Sequence, residues 1–410
     1  MQDYQLYQQI LGIVAPWRVE DVELRLEEGE VHLFLGHESE ATWTCPECQA
    51  ECPLYDHDSE RTWRHLDTCQ YRTILHGAAP RVRCPEHGVR VARLPWAEPH
   101  GRFTALFERL AIDWLKAASQ QAVADRLGLS WDEVHGIMQR AVKRGLARRK
   151  REKLEYLGVD EKSFRKGHRY LTLVNDLTRG CVLYVAEDRK RSSLDGFWPT
   201  LTPEQRDGIA AVALDMWDPY VRSIRAHLPD AEEKMVFDKF HVAKHLSEAV
   251  DKVRRTEHKA LKKIGDERLK GTKYDWLKGR NKFDFSEWRD FCRLRRSNLK
   301  TSRAWALKEQ AMRLWDFCYV QAAHKHFNWW YRWATHSRLK PMIDKARMLV
   351  SHLRNILTYV KHRITNASSE SINSKIQWVK YTARGFRNVD NFKSAIYFHC
   401  DNLDLSPGPT

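Results

Sequence analysis

Apolar and polar residues alternate with a period of two over residues 17 to 35: Val22, Leu24 and Leu26 precede the polar turn Glu27-Glu28-Gly29-Glu30, and Val31, Leu33 and Leu35 follow it. Successive side chains of a strand point to opposite faces, so this spacing predicts a β-hairpin. Short β-segments are expected at 71–75 and 81–82. From Thr104 to Arg148 the period becomes helical. Leu106, Leu110 and Leu115 predict one helix, 119–127 a second, and Gly128-Leu129 a turn. Ser130-Trp131-Asp132-Glu133 is then a capping box that opens a third helix through Val142. A short helix, a glycine turn and a capped helix fit a helix-turn-helix. Its last helix would offer Trp131, His135, Gln139 and Arg140 to a major groove; the plainer alternative is a three-helix bundle.

The next pattern is one of strands ending in acids. Tyr156, Leu157 and Val159 lead to Asp160, a Lys166-Gly167 turn follows, and 170–174 and 181–186 complete an expected antiparallel meander. An unpaired carboxylate beside a core is costly, so Asp160 needs a cationic side chain or a metal ion. Residues 209–214 are continuously apolar, as in a strand buried on both faces, with Asp215 where it emerges. Pro219 starts a helix through Leu228, and 233–237 give a further strand ending in Asp238-x-x-His241. Parallel or mixed strands ending in carboxylates after a meander describe a ribonuclease H-like core. Residues 243–363 read as all-α, with Leu307, Ala311, Leu314, Cys318 and Ala322 at helical spacing and a set of Trp expected in the core. This block is read as an insertion into the core. A last helix, capped by Thr365 or Asn366, puts Glu370, Asn373 and Gln377 on one face and Ile372, Ile376 and Val379 on the other.

Composition sharpens the picture where it is uneven. The chain of 410 residues suggests about three domains, and its 42% apolar content with 16 Trp supplies real cores. The net charge is +15. Between Lys252 and Arg363, 29 Lys and Arg face 10 Asp and Glu, a balance of +19 that leaves the remainder at −4. Solubility alone does not require such a segment, whereas a surface tracking phosphates does. The run from Lys143 to Lys153, with seven Lys or Arg including Lys143 and Arg144, adds a basic linker. No apolar run is long enough to cross a bilayer and no export signal is apparent, so a cytoplasmic, non-membrane protein is expected. Paired Cys in such a compartment argue for metal rather than disulfides.

Two metal chemistries are separated along the chain. Cys45-Pro46-Glu47-Cys48 and Cys84-Pro85-Glu86-His87-Gly88 suit tetrahedral zinc held by three thiolates and one imidazole, as a structural zinc ribbon, with Cys52 or Cys69 as substitute ligands. Asp160, Asp215 and Glu370, from a first strand, a fourth strand and a late helix, stand in the order of a DDE site. Such a site holds two Mg2+ ions about 4 Å apart, with Mn2+ able to substitute, for in-line phosphoryl transfer.

In combination these motifs resemble the bacterial insertion-sequence transposases of the ISL-three group, distant kin of the Mutator-like elements. The resemblance covers nearly the whole chain. It rests on the two knuckles, on Val159-Asp160-Glu161 with Gly167-His168-x-Tyr170, on Asp215-Met216-Trp217-x-Pro219-Tyr220, and on Phe237-Asp238-Lys239-Phe240-His241. It rests also on Asn366-x-x-x-Glu370-x-x-Asn373-x-Lys375 with Ala383-Arg384-Gly385-Phe386-Arg387-Asn388. It implies Asp160, Asp215 and Glu370 as magnesium ligands and catalytic triad, with Asp238, His241 and Asn373 close by. It further implies binding of double-stranded DNA, both the element's terminal inverted repeats and the target, by a homodimer. Lys375, Arg384 and Arg387 are expected to join the DNA contacts. His87 departs from the family, where a fourth Cys is frequent. The expected architecture is a multidomain α/β chain: zinc-ribbon domain 1–100, helix-turn-helix and linker 101–150, core 151–242, basic all-α insertion 243–363 and final core helices 364–410. A nuclease or resolvase on the same core is a second class, and a catalytically silent DNA-binding repressor a third.

Overall fold

In the computed structural model, which describes residues 3–165, 169–365 and 367–408, the alternating N-terminal segment is the hairpin its pattern dictates. After helix α1 (Asp3–Leu11), strands β1 (Trp17–Arg25) and β2 (Glu30–His37) pair antiparallel. Val31, Leu33 and Leu35 are buried, whereas Leu24, opposite Val31, is half exposed because β1 is the outer strand. A short pair, β3 (Trp43–Thr44) and β4 (Glu51–Cys52), carries the first Cys knuckle. Strands β5 (Leu54–Arg64), β6 (Arg72–Cys84) and β7 (Gly88–Val91) complete a five-stranded sheet of order β1-β2-β6-β5, with β7 on β6. The expected pieces at 71–75 and 81–82 are therefore one strand that runs through Pro80 and ends on Cys84. Strand β5 shows no alternation because Trp63 is its one buried residue.

Helices α2 (Ala105–Ala117), α3 (Gln120–Leu127) and α4 (Trp131–Ala147) follow. Each has a hydroxyl N-cap, Thr104, Ser119 and Ser130, and Ser130 with Glu133 closes the capping box. Gly128 turns the chain at φ +64°, in the left-handed region that glycine adopts without strain. The buried face of α2 is Phe107, Ala111, Ile112 and Leu115, with Leu106 turned out. Helix α4 runs past Val142 to Ala147, so Lys143 and Arg144 are helical rather than linker. The C-terminal tail lies along this helix: Arg144 donates to the Leu405 carbonyl at 3.0 Å and Arg148 to that of Ser406 at 2.7 Å, while Arg149 pairs with buried Asp401. A side chain on Gly145 would meet Leu403 at 2.7 Å.

These elements belong to one compact unit, Met1–Arg149 with Lys380–Gly385 and Tyr397–Thr410; the second is Lys150–Val379 with Phe386–Ile396. The second is built on strands β8 (Tyr156–Arg165), β9 (Arg169–Asp176), β10 (Cys181–Glu187), β11 (Ala211–Leu214) and β12 (Met235–Phe237) in the order β10-β9-β8-β11-β12. The first three form the antiparallel meander, and β8, β11 and β12 are mutually parallel. β11 is buried throughout, as an unbroken apolar run flanked on both edges demands. Crossovers are made by α5 (Arg191–Asp195), α6 (Pro203–Asp207), α7 (Asp218–His227) and α8 (Ala231–Lys234).

Among the described residues, 239–362 contain helices only. These are α9 (Lys239–Lys262), α10 (Lys273–Leu277), α11 (Phe285–Arg295), α12 (Lys300–Met312), α13 (Val320–Thr335), α14 (Lys340–Ser351) and α15 (Leu353–His362), with short 3₁₀ turns at Arg280–Lys282 and Arg313–Asp316. Trp276, Trp305, Trp315 and Trp330 are buried in one core with the sheet's Val159, Leu214 and Phe237, while Trp329 and Trp333 stay exposed. Helices α16 (Ala367–Thr382) and α17 (Val389–Cys400) end the chain, and on α16 Ile372, Ile376 and Val379 are buried as their spacing requires. The Lys166-Gly167 turn, His168 and the Asn366 cap lie outside the described residues. No described helix is long and apolar enough to cross a membrane.

Candidate active site

The register of the parallel strands aligns the acids. Gly158 pairs with Ala213, and Ala213 with Val236. Asp160, Asp215 and Asp238 each lie two residues further on. The period of two thus puts all three carboxylates in one row, at the C-terminal edge where ligands of open α/β sheets bind. The ladder continues into this row, since the Asp238 amide donates to the Leu214 carbonyl at 3.1 Å. Asp160 sits within β8 rather than at its end.

Neighbouring groups orient each carboxylate. Oδ1 of Asp160 accepts from the Glu161 amide at 2.8 Å, and Oδ2 accepts from the Asn373 side-chain amide at 2.6 Å. Asp215 accepts from the Met216 amide, and its other oxygen lies 3.4 Å from Nδ1 of His241. His241 stands one turn into α9, which Asp238 begins. Helix α16 is fastened over the row by Lys162 donating to the Asn373 carbonyl at 3.2 Å and by buried Asn175 donating to Ser369 at 3.2 Å. Glu370 is exposed, one helical turn before Asn373, and shares a cavity lining with Asp238. The oxygens of Asp160, Asp215 and Glu370 do not all lie within 4.8 Å of one another. Asp160 and Asp215 are strand neighbours, and Glu370 is tied to them through Asn373. Asp238 as a third member of the row was legible only as an Asp-x-x-His motif, because its alignment depends on the β11–β12 register.

In the other unit, Cys45, Cys48, Cys84 and His87 converge within 4.8 Å. Cys48 Sγ is 3.7 Å from Cys84 Sγ, which is 3.5 Å from His87 Nδ1. A zinc ion with Zn–S of about 2.3 Å and Zn–N of about 2.05 Å has tetrahedral edges of about 3.8 and 3.6 Å, so the donor set fits. The backbone N–H of His87 draws the Cys84 thiol down to about 7, which favours a thiolate ligand. Cys52 bonds the Ala50 carbonyl and Cys69 is exposed; neither joins the cluster.

The helix α4 face differs from its sequence reading. Trp131, Gln139 and Lys143 are exposed, but His135 is buried under the Trp131 ring at 4.8 Å. Arg140 and Arg144 turn inward to Glu108, which is only 2% exposed, and Arg144 also reaches Glu98 at 2.6 Å. Burial raises the Glu108 pKa and the two guanidiniums oppose that rise. His135 and Arg144 are therefore committed inside their own unit, Arg140 is partly exposed but tied to Glu108, and Arg148 and Arg149 of the expected linker bond the C-terminal tail. Lys375, Arg384 and Arg387 are exposed.

Comparison with known proteins follows the same division. A transposase family model, that of the ISL3 DDE domain, matches residues 157–396. A model described as the zinc-finger of transposase IS204/IS1001/IS1096/IS1165 matches residues 41–87, and one for the helix-turn-helix domain of transposase family ISL3 matches 92–142. The transposase for insertion sequence element IS1001 of Bordetella parapertussis is 29% identical over 386 residues, covering 93% of this chain and 95% of the relative. The transposase for element IS1557 of Mycobacterium tuberculosis is 27% identical over 418 residues, covering 95% and 93%. With its zinc-ribbon and helix-turn-helix segments preceding a matched region of more than half its length, the chain belongs to the ISL3 family of transposases.

Proposed function

We propose that the protein binds the terminal inverted repeats of its own insertion sequence and cuts and joins DNA strands by a two-metal DDE mechanism on a ribonuclease H-like core, with residues 243–363 as the insertion. Asp160, Asp215 and Glu370 are the metal ligands in this reading. The observation that carries it is that Asp160 and Asp215 each follow by two residues the paired Gly158 and Ala213 of adjacent parallel strands, with Asn373 linking Asp160 to the helix that bears Glu370. A meander followed by parallel strands in the order β10-β9-β8-β11-β12 supports the core assignment. Carboxylate oxygens are hard donors and suit Mg2+ or Mn2+, whereas the thiolates of the ribbon suit zinc. Mg2+ held by Asp160, Asp215 and Glu370 would supply positive charge at the scissile phosphate and a lowered pKa for the attacking water or 3′-hydroxyl.

The chain's own groups do the positioning. Asn373 and the Glu161 amide each fix one Asp160 oxygen. His241 holds Asp215 from the side of α9, and Asp238 adds negative charge to the same edge. Exposed Lys375, Arg384 and Arg387, with Trp131, Gln139 and Lys143 of α4, are the surfaces assigned to DNA. A homodimer would hold the two ends together.

The test is cleavage of DNA bearing the element's ends in Mg2+. Asp160→Asn, Asp215→Asn and Glu370→Gln should each lower cleavage by at least about 10³-fold, the scale expected when a unit of catalytic groups is broken, while end binding stays within about twofold. Retained cleavage in one variant would remove that residue from the triad. Normal cleavage in all three would end the two-metal reading.

A further inference from the structure

A cavity of about 1050 Å³ opens beside the acids, wholly within the second unit. Asp238 and Glu370 form part of its wall, and the rest comes from the start of α9 and from the all-helical block. Its size lies just above the range of about 300–1,000 Å³ that holds small organic ligands.

The lining is unusual in two respects. Lys239, Arg280, Lys282, Arg295 and Arg313 all line it, and among the described residues none of the five makes an ion pair with a carboxylate. Arg280, Lys282 and Arg313 are exposed, so a charged ligand can reach them. Arg280 and Arg295 are held over the Trp288 ring, at 5.5 and 5.6 Å. Second, two aromatic rings reach the cavity from different helices without being consumed by the core. Phe240, two residues after Asp238, is 59% exposed, and Trp333 on α13 is 36% exposed. An apolar ring left in water beside unpaired cations is a poor way to stabilise a fold. It is what an unpaired nucleotide requires: a face to stack on and cations for its flanking phosphates. A paired base has both faces covered by its neighbours in the duplex and gains nothing from such rings.

We propose that this cavity binds an unpaired nucleotide of the DNA strand being processed, its base stacked on Phe240 and Trp333 and its phosphates held by Arg280, Lys282 and Arg313. The proposal rests on the reading of Asp160, Asp215 and Glu370 as the cutting site, because it gives the strand beside that site a place to leave the duplex. Phe240 and Trp333 are positioning residues: opening the duplex at the cut would let the scissile phosphate settle among the acids.

The full chain provides the test. A single-stranded oligothymidylate of about eight nucleotides, within the usual site size of such grooves, is titrated by fluorescence anisotropy. In parallel, a duplex end carrying 2-aminopurine next to the cleavage position is bound to the variant Asp160→Asn, which holds the end uncut. The double variant Phe240→Ala/Trp333→Ala should lose roughly 5- to 100-fold in oligonucleotide affinity, the range of base stacking on aromatic rings. It should also lose the rise in 2-aminopurine emission that marks a base leaving the stack. Phe240→Tyr/Trp333→Phe should keep both, which separates stacking from general damage to the fold. Arg280→Ala/Lys282→Ala should reduce the slope of log affinity against log salt by about 0.7 for each phosphate that is no longer neutralised. On duplex ends the aromatic double variant should cut slowly, and two mismatched pairs at the cleavage position should restore the rate. Unchanged oligonucleotide affinity in the double variant, or equal loss of cleavage on paired and mismatched ends, overturns the proposal. Oligonucleotide affinity is read without any cleavage, so a chain that never cuts its ends would sink the function proposed above and leave this site standing on its own measurement.

Discussion

At the scale of single residues, Asn373 is the most informative side chain outside the three acids. Its amide is the direct link between Asp160 and the helix that carries Glu370, at 2.6 Å. A group that orients a metal ligand without touching the metal typically contributes 10- to 100-fold in metal affinity or activity. Asn373→Ala should therefore raise the Mg2+ concentration needed for half-maximal cleavage by roughly tenfold and leave saturating activity partly intact. Glu370→Gln should be inactive at every Mg2+ concentration. A magnesium titration of end cleavage distinguishes the two, and an unshifted half-maximum in Asn373→Ala would show that α16 is positioned by its other anchors alone. The sequence carried Asn373 as a polar residue one turn after a glutamate and, through the family motif, as a neighbour of the acids. Spacing showed that it shares a face with Glu370, but its partner across 213 positions of chain required the fold.

At the scale of elements, periodicity reported well wherever one face of an element meets a core, and poorly elsewhere. The apolar face of α16 follows from burial that repeats along the helix and the capping box at Ser130 from residue spacing, whereas β1 buries only Trp17 and Val19 although its alternation foretells the hairpin. Strand β5 escaped because a single buried residue leaves no pattern, and β6 was read as fragments because Pro80 interrupts its β-formers. Helix α4 gives the instructive miss. Helical spacing marked His135 and Arg140 as outward and the basic run put Arg144 in a linker, but the buried carboxylate of Glu108 on α2 recruits both arginines. Their roles predict opposite phenotypes from those of residues that touch DNA. Arg144→Ala should lower the stability of the first unit by about 3 kcal/mol, because it strips a partner from a desolvated charge, and thermal melting should show it. Lys143→Ala, one residue away and exposed, should change stability by less than about 0.5 kcal/mol yet reduce the salt slope of DNA binding by about 0.9. Reversed phenotypes would return Arg144 to the DNA-facing surface.

At the scale of the whole molecule, the soft Cys/His cluster and the hard carboxylate row stand in different units, and this separation yields a test of division of labour. The ribbon's four donors sit at strand ends and turns: Cys45 follows the two-residue β3, Cys48 lies in the turn before β4, Cys84 ends β6 and His87 precedes β7. Trp43, Cys45, Cys52 and Cys84 nevertheless belong to the same buried core as the large sheet, so the bound ion closes that core rather than decorating it. Removing zinc with a chelator that spares Mg2+, or substituting Cys45→Ser, should release about one ion per chain. It should also broaden the thermal transition of the first unit and abolish discrimination between the element's ends and unrelated DNA. The acids of the second unit stand on and beside a separate sheet with its own core, with Glu370 on α16, and hard carboxylate oxygens have no need of zinc. Residual Mg2+-dependent nicking of non-specific DNA at high protein concentration should therefore survive the treatment, while cleavage at the ends disappears. If chelation erased nicking and end binding together, with Mg2+ restored and the second unit still folded, the two chemistries would be energetically coupled and recognition could not be assigned to the ribbon and its helices alone.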